Sequence, residues 1–274
     1  MAVLPIYKYF SLNGELKSID QFVASENEGG VYEVMRVVNH IPLFLEDHMA
    51  RFYRSAKIAG KNIIYSTDQI RTYLNDLIQG NKVQNGNILL SCKINLKIFF
   101  IAHFYPDENM YKEGVNCGLL NAVRNNPNAK VFQTEVRIRA NELIGKEKYY
   151  EVLLVDHSGL ITEGSRSNVF FIKGNRLVTP PAGKVLIGIT RLKTIDCAGI
   201  LGIDVIEEEI HLSQLGSFDA VFITGTSPKI LPVKQIGETE FDTDNRVLRN
   251  LMTQYDLLVE EYLDSKGIKN LRDT

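Results

Sequence analysis

Apolar residues gather in β-type runs at Val31 to Val38 and Ile41 to Leu45, separated by Asn39-His40. Asparagine tolerates positive φ, so this spacing predicts a tight hairpin. The pattern then turns helical. Met49, Phe52, Tyr53, Ala56 and Ala59 recur on one face behind Glu46-Asp47, whose charges suit a helix N-terminus, and Gly60 ends the run. A second helix opens at Ser66-Thr67-Asp68, presents Ile70, Tyr73, Leu74, Leu77 and Ile78 on one side, and ends at Gly80. Strands are expected at Ile88 to Lys93 and Ile98 to Phe104. Tyr105 to Gly114 is polar and turn-rich, which predicts a linker between a smaller α/β domain over residues 1–115 and a larger domain over residues 116–274.

The second half alternates strands and helices more evenly. Val115 to Ala122 and Val131 to Ile138 read as strands around the turn NNPNAK, and Asn141 to Lys146 as a short helix. Tyr150 to Val155, Leu160 to Thr162 and Val169 to Ile172 are strand-like, and Gly174-Asn175 turns the chain back into Leu177-Val178-Thr179. A helix starts at Gly188-Ile189-Thr190 and ends near Gly202. Val205-Ile206 is strand-like, and the buried run Ala220 to Thr224 delivers Gly225 and Thr226 into a turn. An amphipathic helix from Thr243 through Leu263 follows. The fold class is therefore α/β (α+β) with two domains.

Composition narrows the partners. The 274 residues are 45% hydrophobic and 23% charged, an ordinary globular balance with enough apolar mass for a sizeable core. A net charge of -2, with both signs interspersed, offers no basic field for nucleic acid or a membrane surface, so a small-molecule ligand is expected. Three scattered cysteines without CxxC spacing indicate neither a disulfide framework nor a zinc site. His40, His48, His103, His157 and His211 occur singly, so no metal is expected. No export signal or membrane span is visible, which points to the cytoplasm.

Candidate chemistry concentrates between Leu160 and Arg191. Glu163 places a carboxylate at a strand terminus, and the helix start at Gly188 to Thr190 offers free backbone N–H groups of the kind that bind phosphate. Ser165 and Ser167 lie near His157, but Gly164-Ser165-Arg166-Ser167-Asn168 lacks the second glycine of a nucleophile elbow.

EGSRSN (Glu163 to Asn168), TPP (Thr179 to Pro181), GITR (Gly188 to Arg191) and TGTSP (Thr224 to Pro228) occur in this order, with further matches back to Tyr32. Together they resemble the fold-type IV pyridoxal-phosphate enzymes, the class IV aminotransferases. That group holds branched-chain and D-amino-acid aminotransferases and aminodeoxychorismate lyases. The resemblance implies pyridoxal 5'-phosphate as cofactor, a small amino acid and keto acid as substrates, a homodimer, and a ligand cleft between the domains. It puts Arg51 at the phosphate, with the backbone of Ile189 and Thr190 and the hydroxyl of Thr226 completing the cup. Leu186 packs under the ring, Glu163 pairs with the ring nitrogen, and Tyr32 and Ser227 face the substrate.

One requirement is not met at its motif position. The family's imine lysine ends a strand three or four residues before an asparagine, and here VRIRAN (Val136 to Asn141) puts Arg137 and Ile138 at those places. Arginine stays protonated and cannot act as the imine nucleophile. Lys184, between TPP and GITR, is the first substitute, ahead of Lys130 and Lys93. Two other outcomes stay open: an aminodeoxychorismate-lyase-like enzyme, or a non-catalytic protein that keeps the cup for another anionic ligand.

Overall fold

The structure, a computed structural model, describes residues 3–24, 29–132 and 134–270. The described residues divide into two compact units, the first of residues 3–24, 29–104, 129–132 and 259–270, the second of residues 105–128 and 134–258.

The first unit is built on an antiparallel sheet of strands β1 (Tyr9–Leu12), β2 (Glu15–Ser18), β3 (Val31–Val38), β4 (Ile41–Pro42), β5 (Gly86–Cys92) and β6 (Leu96–Ile101), in the order β2-β1-β6-β5-β3-β4. Helices α1 (Leu45–Ile58) and α2 (Thr67–Asn81) supply the side chains that cover it. Strand residues alternate across a sheet, and in β3 Val31, Glu33, Met35 and Val37 are the buried set. Met35 and Val37 join Met49, Phe52, Ile70, Leu74, Ile88, Leu90, Ile98 and Phe100 in one apolar core.

Asn39 and His40 both take positive φ, as the hairpin requires, at 49° and 67°. The strand after them stops at Pro42 rather than Leu45, because Phe44 turns left-handed at φ 52° and Leu45 already begins α1. Ser66 and Gln69 form the capping box that opens α2. Phe44 has no side-chain oxygen to offer α1. The Leu45 N–H instead donates to the Tyr262 hydroxyl at 3.1 Å, and that hydroxyl donates to Glu46 at 3.1 Å while the Lys266 ammonium donates to Glu46 at 2.6 Å.

The second unit contains helix α3 (Glu108–Glu113) inside the segment expected to be a bare linker. Its strands are β7 (Val115–Asn121), β8 (Glu151–Val155), β9 (Leu160–Gly164), β10 (Asn168–Lys173), β11 (Arg176–Thr179), β12 (Asp204–Glu207), β13 (Ile210–His211), β14 (Ala220–Gly225), β15 (Lys229–Ile236) and β16 (Thr239–Glu240). They form one mixed sheet in the order β12-β11-β10-β14-β15-β7-β8-β9-β13, with β16 on β15. The β10–β11 hairpin turns at Gly174, φ 59°. Helices α4 (Thr134–Glu147) and α5 (Ile189–Ile200) complete the unit. Helix α6 (Arg246–Asn270) supplies residues to both units.

Helix α4 corrects the reading of residues 131–138 as a strand. Val136, Arg137, Ala140, Leu143 and Ile144 are the covered positions, and that spacing of three to four suits a helix. Arg137 and Ile138 therefore lie within a helix and not at a strand end.

Candidate functional site

In the first unit, a carboxylate is built into an apolar sheet face. Glu33 is fully buried on β3 between Val31 and Met35, and α1 answers it with His48 and Arg51. The Arg51 guanidinium donates through Nε to one Glu33 oxygen at 2.8 Å and through Nη2 to the other at 2.6 Å. The His48 Nδ1–H donates to Glu33 Oε2 at 2.8 Å, since an ionised carboxylate can only accept. Burial alone would raise the Glu33 pKa, but the Arg51 charge and the donors from Arg51 and His48 outweigh it and hold the carboxyl at about 2. Burial pushes His48 below its ordinary value against the pull of Glu33, which favours the neutral ring. Arg51 is thus held in a fixed, two-point grip.

One turn further along α1, the Ser55 hydroxyl accepts from the backbone N–H of Lys130 at 3.0 Å. Residues 129–132 run beside the start of β3: the Tyr32 N–H donates to the Lys130 carbonyl at 3.0 Å, the Phe132 N–H to Gly30 at 3.0 Å, and Val131 bridges Val31. Phe132 stacks on Tyr32 with centroids 4.1 Å apart, and the Lys130 Nζ lies 4.9 Å from the centre of the Tyr32 ring. The half-buried Lys130 therefore lies beside Tyr32, one residue before the isolated bridge of Val131 to Val31. Lys184 has other company. It is exposed at the end of a short 3-10 turn and paired with Glu209, whose hydrogen bond raises its pKa and keeps it protonated. Lys93 is exposed between β5 and β6.

In the second unit, Glu163 near the end of β9 is 2% exposed. Its two oxygens have separate partners: Arg124 Nη1 donates to Oε1 at 3.3 Å and the Leu186 N–H to Oε2 at 3.1 Å. The carboxylate is satisfied and oriented from both sides. The loop after it is organised by a second buried acid, Glu151 on β8. The hydroxyls of Ser165 and Ser167 donate to it at 2.6 and 3.0 Å, and the backbone N–H groups of Arg166 and Val152 at 3.0 and 2.9 Å. Both serines are occupied by this carboxylate, which accounts for their presence without any nucleophilic role.

The remaining motifs lock to one another. Asn168 donates to the Leu186 carbonyl at 2.8 Å, and a Cβ on Gly188 would stand 2.1 Å from the Asn168 Oδ1, so the start of α5 must be glycine for this approach. No side chain caps that helix, and the first-turn N–H groups of Ile189 and Thr190 have no intrahelical acceptors. Arg191, 2% exposed, donates to the Pro180 carbonyl at 3.3 Å and to Glu207 at 2.7 Å, tying GITR to TPP. Thr226 and Ser227 form the turn from β14 to β15, two and three residues beyond Thr224, whose buried Oγ1 has no hydrogen-bond partner among the described residues. An uncapped helix N-terminus, a nearby hydroxyl and an oriented carboxylate are a donor and acceptor set that fits a phosphorylated, ring-nitrogen cofactor.

Glu33, Glu151, Arg124 and Asn168 were not singled out by sequence. Each acts on a partner far along the chain, 39 residues in the case of Arg124. Only a charged residue inside an apolar strand run, as at Glu33, could have signalled one of them. Among the described residues no group of three or more His, Cys, Asp or Glu could hold a metal ion, and no helix is long and apolar enough to cross a membrane.

Residues 30–236 match the profile of the amino-transferase class IV family. A "probable branched-chain-amino-acid aminotransferase" of Rickettsia bellii is 30% identical, covering 93% of this chain and 94% of its own length. The D-alanine aminotransferase of Bacillus licheniformis is 28% identical over 77% and 80%. Among solved structures, the branched-chain amino acid aminotransferase of Thermobaculum terrenum in its pyridoxal-phosphate form superposes with a TM-score of 0.80 at 21% identity, over 93% and 95% of the two chains.

Proposed function

The chain belongs to the class IV aminotransferase family, and from that premise we propose that it moves an amino group between a branched-chain or D-amino acid and a 2-keto acid, with Lys130 as the catalytic lysine. The family's cofactor is pyridoxal 5'-phosphate, which supplies an aldehyde for the amino group and an electron-accepting ring. The observation that carries the reading is the setting of Lys130: half-buried, next to the Val131–Val31 bridge, with its ammonium over Tyr32. Arg137 lies inside α4 and Lys184 on the surface in an ion pair, so neither offers that setting.

Each other residue has a task its surroundings support. Arg51, oriented by Glu33, is the phosphate guanidinium. In the second unit, the N–H groups of Ile189 and Thr190 and the Thr226 hydroxyl are uncharged donors suited to a phosphate. Glu163 holds the ring-nitrogen proton and stabilises positive charge there. Leu186 orients that carboxylate through its backbone and offers its apolar side chain to the ring. Lys130 would supply the amine that holds the cofactor's aldehyde and the base that moves the proton at the substrate Cα. Tyr32 and Ser227 border the substrate. Assembly as a cytoplasmic homodimer is part of the proposal, and sedimentation checks the dimer.

The test is chemical. Borohydride reduction of the cofactor-loaded protein followed by peptide mapping is expected to mark Lys130, and Lys130→Ala is expected to remove both the adduct and transamination across a panel of L- and D-amino acids with 2-keto acids. An adduct on Lys184, or no transamination by the wild type on any pair, would refute the reading. In the second case, cleavage of aminodeoxychorismate or bare anion binding would be the function left to examine.

A further inference from the structure

We propose that Arg124 is a positioning residue for Glu163 that tunes how firmly the cofactor's ring nitrogen holds its proton; this rests on the reading above, in which Glu163 faces that nitrogen. Arg124 and Glu163 meet at 3.3 Å with side chains only 9% and 3% exposed. A buried ion pair generally adds little to stability compared with apolar residues of the same size, so a pair kept at this carboxylate calls for another reason. The geometry supplies one. Arg124 takes Oε1 and the Leu186 N–H takes Oε2, which fixes the carboxylate plane.

The charge of Arg124 acts in two directions. It keeps Glu163 ionised, so that the carboxylate stays an acceptor and does not turn into a donor. It also opposes positive charge on any group that Glu163 binds, so the ring proton is held less firmly than a lone buried carboxylate would hold it. Arg124 thus moderates Glu163.

The test uses the full chain and pyridoxamine 5'-phosphate labelled with 15N in the ring, a probe that cannot link to a lysine. The ring-nitrogen titration of the bound probe is followed by NMR in the wild type, Arg124→Gln and Arg124→Lys. Arg124→Gln is expected to hold the ring proton at least about tenfold more tightly than the wild type, and Arg124→Lys, which keeps the charge, to stay near the wild type. Equal titrations in the wild type and Arg124→Gln, or Arg124→Lys behaving like Arg124→Gln, would overturn the proposal. Failure of the wild type to bind the probe would instead bring down the cofactor reading itself. Should Arg124→Gln not fold, labelled arginine decides. The guanidinium signal absent from Arg124→Lys must move in the wild type as the ring nitrogen titrates, and a signal indifferent to that titration refutes the coupling.

Discussion

Replacing Glu33 by Gln removes one charge from the first unit and changes almost no volume. Two routes give the cost. The carboxyl sits at about 2 against an ordinary 4.5, a difference worth about 3 kcal/mol at neutral pH. Leaving the buried Arg51 without its counter-charge costs about 3–5 kcal/mol by analogy with other broken buried pairs. The two agree, and for a chain of this size they correspond to a fall in Tm of roughly 6–20 °C. The sign with pH follows. A carboxyl depressed in the folded state stabilises above its unfolded pKa, and that stability is lost as pH falls from 4.5 towards 2. His48, held below its ordinary 6.5 by burial, adds an earlier loss that begins as the pH drops through that value. Urea unfolding followed by circular dichroism from pH 8 to 3 reads both. Glu33→Gln is expected to unfold at lower urea at pH 7 and to lack the wild type's steep loss below pH 4.5. The double variant Glu33→Leu with Arg51→Met is expected to recover most of the stability while losing cofactor-phosphate affinity. A Glu33→Gln protein less than about 1 kcal/mol weaker, or one with the same acid slope as the wild type, would refute the argument.

Gly188→Ala is expected to break the Asn168–Leu186 hydrogen bond or displace the first turn of α5, costing about 1–3 kcal/mol and weakening pyridoxamine-phosphate binding in a fluorescence titration; Asn168→Ala in the same chain should recover part of the stability. Glu151→Ala strips two serine hydroxyls and two backbone N–H groups of their buried acceptor, and a loss of about 2–4 kcal/mol is expected in thermal unfolding. Tyr262→Phe removes the hydroxyl that accepts from Leu45, and faster amide exchange in the first turn of α1, at a cost of about 1 kcal/mol, is the expected outcome.

Much of the frame was written locally. The Asn39-His40 turn, the helix openings at Ser66 and Gly188 and the Gly174 turn depend on residues whose backbone preferences act within a few positions, and all appear where those preferences put them. Residues 131–138 misled because Val131, Val136 and Ile138 are β-branched, while the helical spacing through Ala140, Leu143 and Ile144 lay just beyond the window. A strand there would have put Arg137 and Ile138 at a strand end, and both lie within α4. The partners that give the site its electrostatics were illegible for a different reason. Glu33 and Arg51 are 18 positions apart and Arg124 and Glu163 are 39, and no local pattern announces such meetings.

The first unit is discontinuous in sequence, and synthesis on the ribosome makes that a matter of timing. Residues 1–104 emerge long before the stretches 129–132 and 259–270 that belong with them. At translation rates of ~5–20 residues per second, the wait from Phe104 to Tyr262 is roughly 8–30 s. Residues 105–258, by contrast, hold all of the second unit, broken only by 129–132, so that unit can close while the first is still waiting. Tyr262 is translated 217 positions after Leu45. The helix that carries Arg51 therefore begins life without the Tyr262 hydroxyl on its first turn.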